Sequence, residues 1–273
     1  MKFSFSTLAC PEWTWPQIFS AARDLGFDGI ELRGIAAHVD LPRMTIFAPE
    51  HIEETKGELN RLALEIPLLA TGAFLGSREK QESAVKEVKE YMALAEKLGT
   101  PHLRILGDIA PEPGQIDQDI LVENLEELLP IAAEKGRMLL IETNGVFADS
   151  NVLAALIEKM NHKALGVLWD IHHPYRYFYE PVAETFHRLS SHIRHVHMKD
   201  SVMDGDKVVY KMFGRGDIPL KEAMTLLYEA NFDGYLSLEW VKRWCADLEA
   251  PGISLPHYIT VARSMLNKIQ QGK

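Results

Sequence analysis

The sequence predicts a single (β/α)8 TIM barrel of the α/β class, and three observations predict it. Short apolar runs alternate with longer amphipathic patterns along the whole chain, which calls for a parallel sheet. Eight such repeats follow one another, with no Pro/Ser-rich or low-complexity linker to separate two halves. The length of 273 residues exceeds most single domains but suits one barrel of about 250 residues. One domain over residues 1–273 is therefore expected. An open doubly wound sheet is the alternative. It would normally bring a Gly-rich fingerprint after its first strand, where this chain has Ala9-Cys10-Pro11-Glu12.

The elements follow in order. The first strand reads Phe3–Leu8. Pro16 opens a helix through Leu25 that Gly26 closes, because Pro suits the first turn and Gly the left-handed cap. Strand two is Gly29–Arg33, helix two about Pro49–Leu64, and strand three Ile66–Ala70 with Thr71-Gly72 at its tip. Helix three runs about Glu79–Leu98 and stops at Gly99. Strand four is His102–Leu106, helix four about Asp117–Lys135 before Gly136, and strand five Met138–Glu142. Helix five is about Asn151–Met160, strand six Leu165–Asp170, helix six about Pro181–Leu189, strand seven Ile193–Met198. Asp204-Gly205-Asp206 between valines reads as a hairpin, and Gly214-Arg215-Gly216 as a turn. Helix seven is about Leu220–Ala230, strand eight Gly234–Glu239, and helix eight about Leu255–Ile269.

Composition narrows the function. A formal charge of -10 disfavours nucleic acid as a partner, because phosphate binding wants a basic surface. No apolar stretch approaches the roughly 18 residues of a membrane span. The segment Met1-Lys2-Phe3-Ser4-Phe5-Ser6 is too short and polar for a signal peptide and reads as a strand. The cysteines Cys10 and Cys245 suggest reduced thiols, and the expectation is a cytoplasmic protein.

Barrel chemistry collects at the C-terminal ends of the strands. Four consecutive predicted strands, five to eight, end in or near a ligand-type residue: Glu142, Asp170, His197 and Glu239. Each alone is an ordinary rim residue. Together, three carboxylates and one imidazole suit one divalent ion, Mn, Mg, Zn or Co, and the absence of cysteine from the set disfavours soft metals. His195 lies two before His197, on the same face one layer deeper, and reads as support for it. In Asp170-Ile171-His172-His173-Pro174, His173 is expected to contact substrate and His172 to turn away, since neighbours in extended chain face opposite sides.

These motifs carry a resemblance. His195-Val196-His197-Met198-Lys199-Asp200, with Ile141-Glu142-Thr143-Asn144, Trp169-Asp170-Ile171-His172-His173 and Ser237-Leu238-Glu239-Trp240, resembles the xylose isomerase-like TIM-barrel superfamily. That group holds sugar isomerases and epimerases, inosose dehydratases and endonuclease IV. The resemblance spans nearly the whole chain, and is specific for fold and metal site but weak for substrate. It implies that Glu142, Asp170, His197 and Glu239 hold one divalent ion, that Glu142 and Glu239 double as the acid/base pair, and that His173 contacts a sugar, keto-sugar or polyol-derived substrate. Endonuclease IV adds histidines at strands three and four and an Asp-x-His after strand seven. The corresponding stretches here are Ala70-Thr71-Gly72, Arg104-Ile105-Leu106-Gly107 and Asp217-Ile218-Pro219, so a nuclease is not expected.

The chemistry is coherent in its own right. Moving a proton beside a carbonyl needs a base, an acid, and positive charge where enediolate charge develops. Two glutamates around one ion can take and return the proton. Return to the same carbon gives an epimer, and transfer to its neighbour an aldose–ketose isomer. The rivals are an inosose-dehydratase-type lyase and, from another class, a non-catalytic sugar-binding barrel, which the retained glutamates disfavour. Further substrate contacts are expected from Lys199, Arg215, Trp13, Glu31 and Arg104, and Arg33 either reaches substrate or pairs with Glu31. For each a plainer role competes: Lys199 as the partner of Asp200 or of a ligand glutamate, Glu31 as the partner of Arg33, Arg215 with Asp217 as an organiser of its loop. Trp13, Trp15, Phe74, Trp240 and Trp244 form either an apolar wall for a sugar face, or packing, or a contact between copies of the chain, which leaves a homo-oligomer open. No Gly-rich phosphate cradle follows strands seven and eight, which favours a non-phosphorylated substrate.

Overall fold

The computed structural model describes residues 1–272. Eight parallel strands form one sheet: β1 (Lys2–Ser6), β2 (Gly29–Glu31), β3 (Leu68–Phe74), β4 (His102–Leu106), β5 (Met138–Glu142), β6 (Leu165–Asp170), β7 (Ile193–Met198) and β10 (Tyr235–Leu238). Their order, β2-β1-β10-β7-β6-β5-β4-β3, closes on itself. Leu32 N donates to Leu68 O at 3.1 Å and Ala70 N to Leu32 O at 2.8 Å, so the chain just beyond β2 joins β3 and completes the barrel. The predicted (β/α)8 barrel is the observed fold.

The helices between strands are α1 (Trp15–Leu25), α2 (Ile52–Arg61), α3 (Gln81–Leu98), α4 (Gln118–Glu134), α5 (Ser150–Met160), α6 (His172–Tyr177), α7 (Val182–Leu189), α8 (Leu220–Glu229) and α9 (Pro251–Gln270). Thr14 and Gln17 form a capping box before α1, which satisfies amide groups that a helix start leaves free. Gly26 and Gly99 both sit at φ 76° at helix ends, the left-handed conformation that costs glycine least. Helix α3 buries Ala84, Val85, Val88, Tyr91, Met92 and Ala95, one stripe at helical spacing that faces the sheet.

The differences from the predicted boundaries are local. Strand β1 stops at Ser6, and Thr7–Ala9 turn as a 3-10 helix, since the Ser6 hydroxyl accepts from Leu8 N. Strand β3 continues through Thr71 and Gly72 to Phe74, with a register break after Ala70. The Thr71 hydroxyl donates to Arg104 O at 2.7 Å and accepts from Ala73 N at 3.2 Å, a bulge that holds the tip of β3 against β4. Helix α6 was not predicted. It begins two residues after Asp170 and is anchored by its own histidines. The predicted hairpin is present: β8 (Asp200–Asp204) pairs antiparallel with β9 (Lys207–Lys211), and Gly205 takes φ 59° in the turn. Among the described residues no helix is long and apolar enough to cross a membrane.

Candidate active site

The strand tips converge as the sequence predicts. Asp170 and His197 are direct partners in the β6–β7 register, and His197 is opposite Ser237 on β10, two residues before Glu239. Glu142, Asp170, His197 and Glu239 each offer one ligand atom within 4.8 Å of the others, and all four are buried. His197 Nδ1 lies 3.4 Å from Glu142 Oε1, 3.4 Å from Glu239 Oε1 and 3.8 Å from Asp170 Oδ2. It makes no hydrogen bond although it is fully buried. A buried ring nitrogen left unpaired and facing three carboxylate oxygens has the donor set and the spacing of a hard-to-borderline divalent site. The residues fit such an ion.

The tertiary fold supplies what orients this ring. Glu31, at the end of β2, reaches through the barrel interior to β7. Its Oε2 stands 3.0 Å from both His195 Nε2 and His197 Nε2. Fixing Nε2 of His197 leaves Nδ1 to face the carboxylates, the usual arrangement in which an outer carboxylate aims a ligand imidazole. His195 shares that carboxylate with His197 and is itself fully buried. Glu31 was expected to reach substrate or to pair with Arg33. It does neither, because it is fully buried beneath His197.

Two cations neutralise the acidic floor. Arg104 Nη1 lies 3.0 Å from Glu142 Oε2 and 3.8 Å from Glu239 Oε1, while its Nη2 donates to Thr71 O at 2.7 Å. Lys199 Nζ lies 2.6 Å from Asp170 Oδ2 and donates to Glu239 Oε2. Lys199 thus takes the ion-pair role with Glu239, a candidate ligand, while Asp200 accepts backbone amides of Ser201, Gly216 and Ile218.

The electrostatics follow from burial and these partners. Burial opposes ionisation of Glu142, but the Arg104 guanidinium and His197 outweigh it and hold the carboxyl well below its usual range. Burial and the neighbouring Glu142 charge push Asp170 up, against the pull of Lys199. Burial also disfavours charge on Lys199, yet Asp170 and Glu239 raise its pKa well above normal. For His197 burial is again outweighed, by Glu31 and Glu239, so the ring is strongly basic. For His173 the Glu142 and Glu239 charges do not offset burial and the Lys199 charge, which push it down to about 3. A neutral His173 with Nδ1 at 2.9 Å from Thr143 O donates there, which leaves Nε2 as an acceptor.

A cavity of about 560 Å3 opens above this floor, lined by Glu142, Glu239, Arg104, His173 and Lys199, and by Arg33, Asn144, Tyr210 and Trp244. Of the expected substrate contacts, the structure brings Arg104, His173 and Lys199 to it. It does not bring Arg215 or Trp13. Arg215 is exposed, and its turn is held away by Asp200 and by the pairing of Arg176 with Asp217. Trp13 shares a surface groove with Pro16, Gln17 and Ser20 at the start of α1. Of the five aromatic candidates for a sugar wall, Trp244 alone lines the cavity. Trp240 is packing, with its ring buried and Nε1 donating to Glu249 O at 3.0 Å. His172 turns away as expected, but by entering α6, where its Nε2 meets Ser201 Oγ at 2.9 Å.

Sequence reasoning missed Asn144 and Tyr210, while Arg33, read as reaching substrate or pairing with Glu31, does line the cavity. The Asn144 amide donates to Asp108 O and Ala110 O, which fixes the loop after β4. Gly145 has φ 57°, and a Cβ there would lie 2.2 Å from Asp108 Cβ, so only glycine fits. The motif Glu142-Thr143-Asn144-Gly145 carried this signal, but its reading stopped at the glutamate.

Comparison with known proteins agrees with this fold. A fructoselysine 3-epimerase of Escherichia coli O157:H7 is 28% identical over 242 residues, covering 82% of this chain and 84% of that protein. The crystal structure of a D-tagatose 3-epimerase-like protein superposes with a TM-score of 0.78 at 19% identity, covering 100% of this chain and 99% of that one. That of IOLI protein with a bound zinc atom gives 0.81 at 16% identity, covering 98% and 99%. The family model described as xylose isomerase-like TIM barrel matches residues 19–258, and the chain belongs to that family.

Proposed function

We propose that this chain is a divalent-metal-dependent sugar isomerase or epimerase, acting on a sugar, keto-sugar or polyol-derived substrate, with Glu142 and Glu239 as its proton-transfer pair. The observation that carries the reading is the unpaired Nδ1 of buried His197 among three carboxylate oxygens of Glu142, Asp170 and Glu239. The epimerase name of the relative at 28% identity supports the reaction class, and the zinc in the IOLI structure supports a divalent ion.

A divalent ion held by Glu142, Asp170, His197 and Glu239 would supply the positive charge that stabilises an enediolate oxygen. The chain's own residues do the rest. Glu142, kept ionised by Arg104, is ready to accept the proton beside the substrate carbonyl. Glu239 accepts a hydrogen bond from Lys199; with a proton passed to it from that ammonium it reprotonates the carbon, and reprotonation on the face opposite Glu142 inverts it. Lys199, with protons to spare between Asp170 and Glu239, is placed to donate to a substrate oxygen. His173 Nε2 accepts a hydroxyl hydrogen, fixing which face of the sugar is presented.

The test measures metal content of protein purified without chelator, together with C3 hydrogen exchange from D2O into ketoses, for wild type, Glu142→Gln and Glu239→Gln. About one divalent ion per chain is expected, with turnover reduced about 100- to 10,000-fold in either variant. Turnover unchanged in both would revive a non-catalytic barrel. Products lighter by one water would mark a lyase of the dehydratase type. Three zinc ions would reopen the nuclease.

A further inference from the structure

Three cations line the cavity, and two of them are spoken for. Arg104 is bound to Glu142, and Lys199 to Asp170 and Glu239. Arg33 is different. Among the described residues its guanidinium makes no salt bridge and no hydrogen bond; its recorded bond is from its backbone N to Thr7 Oγ1 at 3.0 Å. Its charged neighbours include Arg104 and Arg243, which repel it, and Glu87. Glu87 Oε1 is already engaged, by Gly72 N at 2.6 Å. Burying a guanidinium without a partner is costly.

The surroundings show where this charge points. Arg33 stands beside Gly72, whose Cβ, if present, would lie 2.9 Å from Arg33 Nη2. Gly72 follows Thr71, whose carbonyl accepts from Arg104. Arg33 is thus one step further towards the rim than the Arg104–Glu142 pair. Its guanidinium lies 5.9 Å from the centre of the Trp244 ring, a cation–π distance. Trp244 is 58% exposed and Ile109 60%, and both line the same cavity. A cavity of about 560 Å3 is of the size that takes drug-sized ligands.

We propose that Arg33 is a specificity-determining residue that binds an anionic group of the substrate, a carboxylate or a phosphate, carried away from the reacting carbon. A planar guanidinium pairs with either anion through two parallel hydrogen bonds, and Trp244 is within cation–π distance of it. The ligand then spans the cavity: its sugar carbonyl sits over Glu142 and Glu239, its linker covers the apolar surface of Trp244 and Ile109, and its anion ends at Arg33. The proposal rests on the isomerase or epimerase reading of the floor and refines its substrate class.

The test is calorimetric titration of the metal-loaded protein with three ketoses: D-fructose, D-fructose 6-phosphate and Nε-fructosyl-lysine. At least one of the two ketoses that carry an anionic group should bind tenfold or more tightly than D-fructose, and which one does so tells phosphate from carboxylate. In Arg33→Met that ratio should fall towards one, and Arg33→Lys should restore part of it. Equal affinity for all three, absence of binding included, overturns the proposal, as does an unchanged ratio in Arg33→Met. C3 hydrogen exchange is read separately. Selectivity that depends on Arg33 without exchange keeps the anion subsite and sinks the epimerase, whereas exchange without such selectivity sinks the subsite alone.

Discussion

The floor of the barrel mouth and the wall above it are built on different principles. On the floor every charged side chain has a partner of opposite sign or an imidazole: Glu31 with His195 and His197, Glu142 with Arg104, Lys199 with Asp170 and Glu239. These residues belong to strands or their immediate ends, so the register of the sheet sets their depth. The wall is made by segments beyond the barrel strands, loops and the β8–β9 hairpin. Its groups, Arg33, Ile109, Tyr210 and Trp244, are half-buried or exposed, and its cation has no partner among the described residues. A closed, self-neutralised floor suits chemistry common to many substrates, while an open wall with a free charge suits discrimination among them.

Three changes would break or sharpen this contrast. The largest effect is expected from Lys199→Met. It leaves two buried carboxylates, Asp170 and Glu239, without their cation, and breaking a buried pair of this kind costs about 3–5 kcal/mol. Thermal unfolding of the metal-free protein should show the loss, and added Mn2+ should recover a larger share of stability than in wild type, because the ion replaces the missing charge. If the variant unfolds at the wild-type temperature without metal, the floor is not held by mutual neutralisation.

Glu31→Gln comes next. It removes the charge that orients His197 without adding volume. Losing such an outer carboxylate typically costs about 10- to 100-fold in metal affinity. Competition titration with a metal chelator would read this directly, and unchanged affinity would show that the strand alone aims the ring.

The smallest effect concerns a histidine outside the mouth. Burial, reinforced by His195 and Arg194, pushes His102 from 6.5 down to about 4. A histidine depressed in the fold takes up its proton in the unfolded chain first. Its contribution to stability is therefore intact above pH 6.5 and is lost progressively as pH falls towards 4, with a slope of at most about 1.4 kcal/mol per pH unit. Denaturant unfolding at pH 4.5 and 7 should show a smaller difference in His102→Asn than in wild type. An identical difference would assign the acid sensitivity elsewhere, for instance to His173 on the floor.

Much of the floor was legible in the sequence. Glu142, Asp170 and His197 stand at the ends of short apolar runs, of which the last alternates, and the bounds of β4, β5, β6 and β7 match the predicted strands residue for residue. The pattern of side chains along a strand is local, with period two, so a ligand-type residue at a strand tip can be recognised without knowing its partners. The wall was legible only in part, since Arg33 and Trp244 were candidates with nothing local to single them out. Arg215 sits in a Gly-Arg-Gly turn that reads as flexible and near the site, yet Asp200 and Arg176 draw that turn away through contacts made with β8 and α6. Trp13, Trp240 and Trp244 look alike as aromatic residues following strands, and only packing sorts them into surface, core and cavity.

The sequence by itself determined the alternation of strands and helices, the barrel, and the four ligand-type residues at its mouth, because each of these rests on spacing within a short segment. The tertiary structure alone decided what the neighbours of those residues do. Glu31 and Arg33 are two positions apart at the end of β2, face the same side, and read locally as a pair. The closure of the barrel separates them: histidines arriving from β7 capture Glu31 below, and Arg33 is left above it, facing the cavity with its charge free. Which partner reaches a charged group first across the barrel is a property of the whole ring of strands, and no segment of the chain contains it.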